Sequence, residues 1–261
     1  MSISILGSGN VATLLSKALI KAGHAIDAVY SHNAEHAQAL AHAIGCPYAT
    51  NRTDLLPQSD IYLFALKDDS LTSVIQQLLQ NSHAVKGTWV HTAGSIPLAV
   101  FPQSVQSGVL YPMMTLSKDK DVDFKAIPLF VEGSTPQSLK AVENIANELS
   151  DSVYLLDSTK RKKLHLAAVF ANNFTNHCCT LAYHLLEKNG IAPTVLLPII
   201  DETAQKLHHL SPTEAQTGPA KRWDEKVMNE QLCELADEAE LQEIYRLMSQ
   251  SIHQHSLSKH D

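Results

Sequence analysis

Several classes of protein are disfavoured by what this sequence lacks. Basic residues are not in excess: 20 Lys and Arg stand against 27 Asp and Glu, for a net charge of −7. Because sequence-independent binding to nucleic acid depends on a basic face, we expect no nucleic-acid partner. No apolar run approaches the roughly 20 residues of a membrane span. The N-terminus has neither a basic stretch nor a cleavage site, so we expect neither a membrane protein nor a secreted one.

Cysteine is also scarce. The four cysteines lack the C-x-x-C spacing of zinc and redox sites. We therefore expect free thiols in a reducing cytoplasm and no metal site, with disulfides or zinc as the disfavoured alternative. At 261 residues, with 44% hydrophobic and 18% charged residues, the chain is long enough to bury a full core in one large or two medium domains.

The N-terminal segment ILGSGNVATLLSKAL combines a short apolar strand, two closely spaced glycines and a helical pattern. Strand, G-x-G-x-x-A and helix make up the dinucleotide-binding arrangement. The first glycine allows a tight turn, the second admits a pyrophosphate, and the small third residue lets helix and strand pack closely. Main-chain N–H groups at the helix start then bind the phosphate; a purely structural turn is the alternative. The predicted phosphate-binding residues are Gly7, Ser8, Gly9, Asn10, Val11 and Ala12.

The end of the second predicted strand, residues 25–31, selects the cofactor. NAD-binding sites usually carry Asp or Glu there to bind the ribose hydroxyls. This chain has Ser31, His32 and Asn33 instead, and Asp27 lies too early in the strand to do so. Because no carboxylate would repel a 2′-phosphate, we expect NADP, with NAD and the deazaflavin F420 as alternatives.

Strand and helix patterns alternate over residues 1–157, which predicts a Rossmann-type α/β domain with a doubly wound sheet. From residue 158 the patterns are helical, which predicts an all-α domain over 158–261. Helices are expected over 159–188, over 193–210 and from 220 onward, with a loop at 211–219. The predicted strands cover residues 2–6, 25–31, 47–50, 60–66, 88–91, 108–111, 128–132 and 152–156.

Small and polar residues follow two of the predicted strands. Ligands of doubly wound sheets bind outside the carboxyl ends of the strands. Lys67 is therefore expected near the ribose or the substrate, and residues 92–94 near the nicotinamide amide. The alternatives are a solvated turn at 67–69 and a helix cap at Ser95. The cofactor-binding candidates at these strand ends are Ala65, Leu66, Lys67, Thr92, Ala93 and Gly94.

The long helix predicted for residues 159–188 carries a polar stripe. At 100° per residue, His165, Asn172 and Asn176 lie within about 20° of one another. Their neighbours are mostly apolar, so we expect the helix to be buried. Buried asparagines need partners, which indicates a substrate site facing the nicotinamide or, alternatively, a polar network that supports a loop. In a substrate site His165 is the acid/base candidate, because imidazole transfers protons near neutral pH, and Asn172 and Asn176 orient the substrate.

A further candidate lies in the predicted loop before the last helical segment. Thr217 and Gly218 precede Pro219, and a helix beginning there would carry Arg222 in its first turn. Main-chain N–H groups and the guanidinium could bind a carboxylate or phosphate of the substrate. The alternative is an ordinary loop with a proline that starts the next helix.

These motifs resemble the superfamily of pyrroline-5-carboxylate reductase and 6-phosphogluconate dehydrogenase. The resemblance depends on ILGSGNVA, DIYLFALKDD, HTAGS and YPMMTLS. More closely, HLAAVFANNF and TGPAKRWD are similar to Rossmann-like proteins with a DUF2520 C-terminal domain, whose usual last motif is TGP-x-x-R-G-D. Trp223 stands where that glycine is usual. The resemblance implies an NADP- or F420-dependent oxidoreductase, a 6-phosphogluconate dehydrogenase-like helical domain, and a homodimer formed through helical domains.

The sequence therefore predicts an NADP-dependent oxidoreductase that transfers a hydride between a nicotinamide and a small anionic metabolite. The alternative is a dinucleotide-binding sensor or regulatory protein without turnover.

Overall fold

The first half of the chain forms one sheet, as its alternating pattern predicts. A computed structural model describes residues 1–257 apart from 51–52, 54–55, 82–85, 116 and 118–121. The strands are β1 (Ser2–Leu6), β2 (Ala25–Tyr30), β3 (Tyr48–Ala49), β4 (Ile61–Phe64), β5 (Thr88–His91), β6 (Ser107–Pro112), β7 (Leu129–Gly133) and β8 (Val153–Leu155). They lie in the order β3-β2-β1-β4-β5-β6-β7-β8, and all neighbours are parallel except β6 and β7. The predicted Rossmann-type fold class is confirmed.

Apolar side chains cover both faces of this sheet, which is why its central strands are apolar throughout. In β4, Ile61 and Leu63 belong to one buried cluster, whereas Tyr62 and Phe64 belong to another. Successive side chains of a strand point to opposite faces, so the two clusters lie on opposite sides of the sheet. The accompanying helices are α1 (Asn10–Lys21), α2 (Ala34–Ile44), α3 (Asp68–Leu78) and α4 (Pro136–Leu149).

Helices alone follow β8 in the described residues 158–257. None of the described helices is both long enough and apolar enough to cross a bilayer. The elements are α5 (Ser158–Ala168), a π-helical segment (Val169–Phe174), α6 (Thr175–Lys188), a 3₁₀ turn (Pro193–Leu196), α7 (Leu197–Lys206), α8 (Pro212–Ala215), α9 (Pro219–Arg222), α10 (Glu225–Glu234) and α11 (Ala239–Leu257).

Three helical predictions differ from the structure in detail. The helix expected over 159–188 contains the π segment, where the Thr175 hydroxyl donates to the Phe170 carbonyl, five residues earlier, at 3.2 Å. The helix expected over 193–210 is a 3₁₀ turn followed by α7, since Pro198 has no N–H for the bond that an unbroken α-helix needs. The loop expected over 211–219 contains α8, which begins with a capping box formed by Ser211 and Glu214.

The chain divides into two compact units, Met1–Val169 and Phe170–Asp261. The first therefore includes α5 as well as the sheet. The predicted position 157 lies two residues after β8 ends, where the α/β pattern stops. The division into domains at 1–157 and 158–261 stays a prediction.

The second unit buries few apolar side chains. Of its described residues, the apolar side chains that are buried in the chain are Ala220, Met228 and Leu235. Asn172 and Asn176 are exposed, so the expectation of a buried polar stripe is wrong for the single chain. Sequence periodicity cannot tell an apolar face that packs within a chain from one that is left on its surface, which accounts for the error. The large exposed apolar side chains of this unit are Phe170, Phe174, Ile191, Val195, Leu197, Ile199, Leu207, Leu210, Trp223, Leu247, Met248 and Leu257.

Candidate functional site

The turn after β1 requires its first glycine. Gly7 has a φ of 127°, in the left-handed region that side chains disfavour. A Cβ atom at Gly7 would lie 2.2 Å from the carbonyl oxygen of Ala65, which follows β4. The turn and the end of β4 therefore approach as closely as two main chains can.

The second glycine leaves open space where a ligand can approach. Gly9 is the N-cap of α1 with a φ of −80°, and a Cβ atom built there would meet nothing within 4 Å. No side chain caps the helix, and its first turn contains no acidic residue. Because uncapped N–H groups and the positive end of a helix dipole attract anions, a pyrophosphate fits this turn. Residues 7–12 would hold the phosphates of a dinucleotide.

The carboxyl end of β2 lies beside this turn and carries no carboxylate. The Ser8 hydroxyl donates to the Ser31 hydroxyl at 2.8 Å, which joins the two strand ends. Asn33 caps α2, since its Oδ1 accepts from the N–H of His36 at 2.9 Å. Asp27 accepts from the Ser59 hydroxyl at 2.5 Å, near the start of β4. Its carboxylate is thus bound at the opposite edge of the sheet, away from the predicted ribose site.

After β4 and β5, the chain forms neither the solvated turn at 67–69 nor the helix cap at Ser95 that were the alternatives to a binding site. Asp68 and Asp69 begin α3, with Lys67 as its exposed N-cap, so this segment is a helix start. The Ser95 hydroxyl donates to the Asp68 carboxylate at 2.5 Å and caps no helix. In place of the helix capped by Ser95 that was the alternative, the chain forms a short 3₁₀ turn at Leu98–Val100, with Pro97 as its N-cap.

The segment that follows β5 is held by backbone and imidazole contacts. The Thr92 N–H and hydroxyl both donate to the Phe64 carbonyl, at 3.2 and 3.4 Å. The Ala93 N–H donates to Nδ1 of His91 at 3.2 Å. Burial and, to a smaller extent, the charge of Arg161 lower the pKa of His91 to about 3, although the Pro97 carbonyl acts in the opposite direction. His91 is therefore neutral at physiological pH, and its Nδ1 remains an acceptor for Ala93.

Three elements meet at Gly94. A Cβ atom there would lie 2.6 Å from Nδ1 of His165 and 2.8 Å from Cζ of Tyr111. The Tyr111 hydroxyl and Nδ1 of His165 share a hydrogen bond of 3.1 Å, and both residues are half-buried. Because Gly94 has no side chain, an imidazole and a phenol both contact the main chain that follows β5. We call Gly94, Tyr111 and His165 the Gly94 cluster.

A buried arginine fixes the helix that carries His165. Arg161 precedes His165 by one turn of α5 and is 1% exposed. Its guanidinium forms an ion pair with Glu132 of β7 and donates to the Ile96 carbonyl at 2.6 Å. The Ser158 hydroxyl donates to Glu132 at 2.8 Å and accepts from the Leu98 N–H at 2.8 Å. These contacts attach the first turn of α5 to β7 and to the segment after β5.

Comparisons with known proteins place the chain in a family. Residues 2–90 match the family described as NADP oxidoreductase, coenzyme F420-dependent, and residues 127–252 match DUF2520, a domain of unknown function. A Bacteroides fragilis protein of known structure, described as a candidate NADP oxidoreductase, is 44% identical. The match covers 97% of this chain and 98% of that one, with a TM-score of 0.90. This chain belongs to the Rossmann-like NADP oxidoreductases with a DUF2520 C-terminal domain. The resemblance found in the sequence is confirmed.

More distant structures share the fold of this family. The pyrroline-5-carboxylate reductase of Streptococcus pyogenes is 16% identical, with a TM-score of 0.62 over 97% of this chain and 98% of that one. An imine reductase of Myxococcus stipitatus in complex with NADP⁺ is 14% identical, with a TM-score of 0.64 over 99% of this chain and 93% of that one. No protein of curated function matches the sequence.

The second unit, Phe170–Asp261, holds the other predicted site residues. Asn172 and Asn176 lie on either side of the junction between the π segment and α6, so the 100° spacing used to align them with His165 does not hold there. Thr217, Gly218 and Arg222 lie around α9, a single turn that Pro219 begins. Thr217 and Arg222 are exposed, and Gly218 has a φ of 104°. The roles predicted for these five residues stay predictions.

Trp223, which stands where the family usually has glycine, adopts a left-handed backbone conformation that glycine tolerates best. It has φ 54° and ψ 49° and ends α9 in the left-handed conformation, the one described non-glycine residue with a positive φ. Its ring lies 4.6 Å from that of His253, and its Nε1 donates to Glu225 at 3.1 Å. Side-chain contacts thus accompany a strained backbone here.

Sequence reasoning missed the partners of His165. Tyr111 is part of the YPMMTLS motif. Its position near the carboxyl end of the strand next to β5 is the feature that could have indicated a role in the site. Arg161 lies one helical turn before His165 in the sequence. Its pairing with Glu132, 29 residues earlier, has no local signal, since it depends on how α5 packs beside β7.

Proposed function

We propose that this protein is an NADP(H)-dependent oxidoreductase that reduces a C=O or C=N bond of a small anionic metabolite, or oxidises the product. One observation carries the proposal: an uncapped, ligand-accessible helix start after β1 and the Gly94 cluster belong to the same strand-end edge of one sheet. β5 is the second strand from β1, so the two features lie about 10 Å apart along that edge. When bound, the nicotinamide supplies or accepts the hydride.

Different segments of the first unit are proposed to bind different parts of the dinucleotide. Residues 7–12 would surround the pyrophosphate, with N–H groups supplied from Ser8 onward, because the Gly7 N–H donates to the Tyr30 carbonyl at 2.7 Å. Ala65, Leu66 and Lys67 would border the ribose. Main-chain groups of Thr92, Ala93 and Gly94 would orient the nicotinamide amide. His165 would exchange the proton that must accompany a hydride, because it lies against Gly94 and shares a hydrogen bond with a second proton-carrying group.

The choice of NADP over NAD and F420 depends on the end of β2. Ser31, His32 and Asn33 offer a hydroxyl, an imidazole and an amide to a 2′-phosphate. Asp27, the one carboxylate of β2, is bound to Ser59 instead. Residues 31–33 themselves carry no negative charge, which supports NADP; Glu35 follows in the first turn of α2.

The substrate is proposed to be anionic because of Arg222. Its guanidinium is exposed in the second unit, and Arg222 ends the single turn α9, which follows Thr217 and the φ-positive Gly218 in the sequence. A guanidinium binds carboxylate or phosphate through paired hydrogen bonds. In the substrate site Asn172 and Asn176 would orient the polar groups of the substrate. Replacing Arg222 with Ala should raise KM for a carboxylate substrate and leave NADPH affinity unchanged.

A homodimer is proposed from the surface of the second unit. Its large exposed apolar residues include Phe170 and Ile199, which are 63% and 64% exposed, while three of its described apolar side chains are buried. Soluble monomers seldom leave so much apolar surface uncovered. Sedimentation equilibrium should give twice 28.6 kDa; a single-chain mass at micromolar concentration would contradict the dimer. The free state of the four cysteines fits a reducing compartment such as the cytoplasm.

The test compares how tightly three nucleotides bind to the wild type and to a variant with a negative charge added at the end of β2. Wild-type protein is titrated with NADPH, NADH and reduced F420 by fluorescence, with NADPH expected to bind most tightly. Asn33→Asp keeps a good N-cap for α2 and adds one negative charge. It should weaken the binding of NADPH about tenfold, equivalent to about 1.4 kcal/mol, and weaken the binding of NADH much less. Asn33→Ser, which caps α2 without charge, is the control.

Turnover is then measured as NADPH oxidation with carboxylates that contain a C=O or C=N bond, among them pyruvate and 1-pyrroline-5-carboxylate. If none of the three nucleotides binds in the fluorescence titration, the proposed function is contradicted. Tight NADPH binding without oxidation by any carboxylate would favour a sensor or regulatory role.

A further inference from the structure

Tyr111 is placed at the same edge as the predicted nicotinamide segment. In the parallel pairing of β5 and β6, His91 lies opposite Val109. Two residues further along the chain from each member of this pair, Tyr111 lies at the same level as Ala93. The phenol therefore belongs to the strand-end edge, although β6 itself lies beyond β5 from the phosphate turn.

The phenol is held in one orientation by its neighbours. Its hydroxyl shares the 3.1 Å hydrogen bond with Nδ1 of His165, and the two rings meet edge to face with centroids 6.1 Å apart. On its other side Tyr111 packs against Phe130 of β7, with ring centroids 6.3 Å apart. Tyr111 is half-buried, so its hydroxyl is restrained but not sealed from ligands.

Two opposing effects act on the ionisation of this phenol. Burial raises the pKa of Tyr111, and the positive charge of Arg161 opposes that rise. The phenol is therefore protonated at neutral pH and has a proton to donate. The same guanidinium would stabilise the phenolate formed when that proton leaves.

We propose that Tyr111 donates the proton to the oxygen or nitrogen of the reduced bond, and that His165 returns a proton to Tyr111. This inference rests on the proposed NADP(H)-dependent reduction. As the carbon of the substrate gains a hydride from NADPH, the O–H bond of Tyr111 breaks and an O–H or N–H bond forms on the substrate. The Nδ1–H proton of His165 passes to the phenolate in the same step as Nε2 takes a proton from a solvent acid, so the imidazole changes tautomer and stays neutral. The sum is one hydride and one proton added to the substrate.

This assignment differs from the prediction that His165 itself protonates the substrate. Nδ1 of His165 faces the Tyr111 hydroxyl, so the imidazole acts through the phenol. In the reverse reaction Tyr111 would accept the proton as the hydride leaves the substrate.

The first test needs no cofactor. Protein labelled with ¹³C at Cζ of tyrosine is titrated with acid and base by NMR, and the Tyr111 signal is identified by its loss in Tyr111→Phe. The signal should shift at high pH, as the phenol ionises, because burial raises the pKa of Tyr111. His165→Asn replaces the hydrogen-bond partner of the hydroxyl and should move the Tyr111 signal at every pH. A Tyr111 signal that is indifferent to His165→Asn would overturn the relay.

The second test uses NADPH and the carboxylate that gives the highest rate with the wild type. Tyr111→Phe should lower kcat at least 100-fold, with NADPH affinity within twofold of wild type and an unchanged circular dichroism spectrum. Tyr154→Phe is the matched control, because Tyr154 is an exposed tyrosine on β8 that stacks on Phe130; its kcat should stay within twofold. His165→Asn should reduce kcat less than Tyr111→Phe does.

The outcomes separate this inference from the proposal beneath it. If Tyr111→Phe retains most of its activity while His165→Asn loses it, His165 is the direct donor and the role of Tyr111 is wrong. If the wild type binds no NADPH, the proposed function fails and takes this inference with it.

Discussion

Acid should destabilise the first unit through His91 in particular. His91 is fully buried at the end of β5, and its Nδ1 accepts from the Ala93 N–H, in the segment predicted to frame the nicotinamide. A proton on Nδ1 would remove that acceptor and place a second positive charge near Arg161. The folded protein therefore resists protonation of this residue, and the unfolded chain does not.

The size of the effect follows from the two pKa values. The pKa of His91 is about 3 in the folded protein, against about 6.5 in an unfolded chain. Because the folded pKa is depressed, the contribution to stability is present above pH 6.5 and is lost as the pH falls toward 3. By linkage, the free energy of unfolding drops by about 2 kcal/mol between pH 7 and pH 5, and by about 3 kcal/mol at pH 4.

The assay is urea unfolding at pH 7 and pH 5, followed by far-UV circular dichroism. His91→Asn keeps an oxygen where Nδ1 accepts from Ala93 and cannot be protonated, so it should lose about 2 kcal/mol less than wild type over this pH range. Val90→Ala, a buried neighbour in β5, is the control for lowered stability alone and should keep the wild-type slope. Equal losses for wild type and His91→Asn would refute the buried, neutral imidazole.

Three further comparisons of variants test the backbone and the buried ion pair. Gly7→Ala should lose more than about 3 kcal/mol of stability, because of its positive φ and its clash with the Ala65 carbonyl. Gly9→Ala should fold normally and bind NADPH at least tenfold more weakly. An equal loss of stability in the two variants would contradict the different roles assigned to the two glycines. Trp223→Gly should be about 1 kcal/mol more stable than Trp223→Ala in thermal unfolding, because both remove the ring but alanine retains left-handed strain. Arg161→Met should cost about 3 kcal/mol by leaving Glu132 unpaired. Adding Glu132→Gln should recover part of that loss; a double variant less stable than the single one would mean that Glu132 is not left as an unpaired charge.

The fold was predictable because its signals are local. Glycine spacing after β1, alternation of strands and helices, and apolar runs such as that of β4 each depend on short stretches of sequence. The rule that ligands bind at the carboxyl ends of parallel strands then identified Gly94 without any knowledge of its contacts. Family resemblance assigned the C-terminal part of the chain to DUF2520, whereas sequence patterns alone describe residues 158–261 only as helical.

The contacts within the site were not predictable in the same way. The hydrogen bond between Tyr111 and His165 joins residues 54 positions apart and exists because α5 packs beside the end of β6. The polar stripe failed for two physical reasons. A π segment interrupts the helical spacing between His165 and Asn176, and apolar periodicity does not reveal whether a face packs within its own chain.

The central claim is that a pyrophosphate binds the bare main chain after β1 and that the nicotinamide reaches the segment after β5. Amide chemical shifts of ¹⁵N-labelled protein, recorded as NADPH is added, test both halves at once. The amides of residues 7–12 and 92–94 should show the largest changes, saturating with one nucleotide per chain. Saturable changes confined to other amides, with these two segments unmoved, would contradict the account.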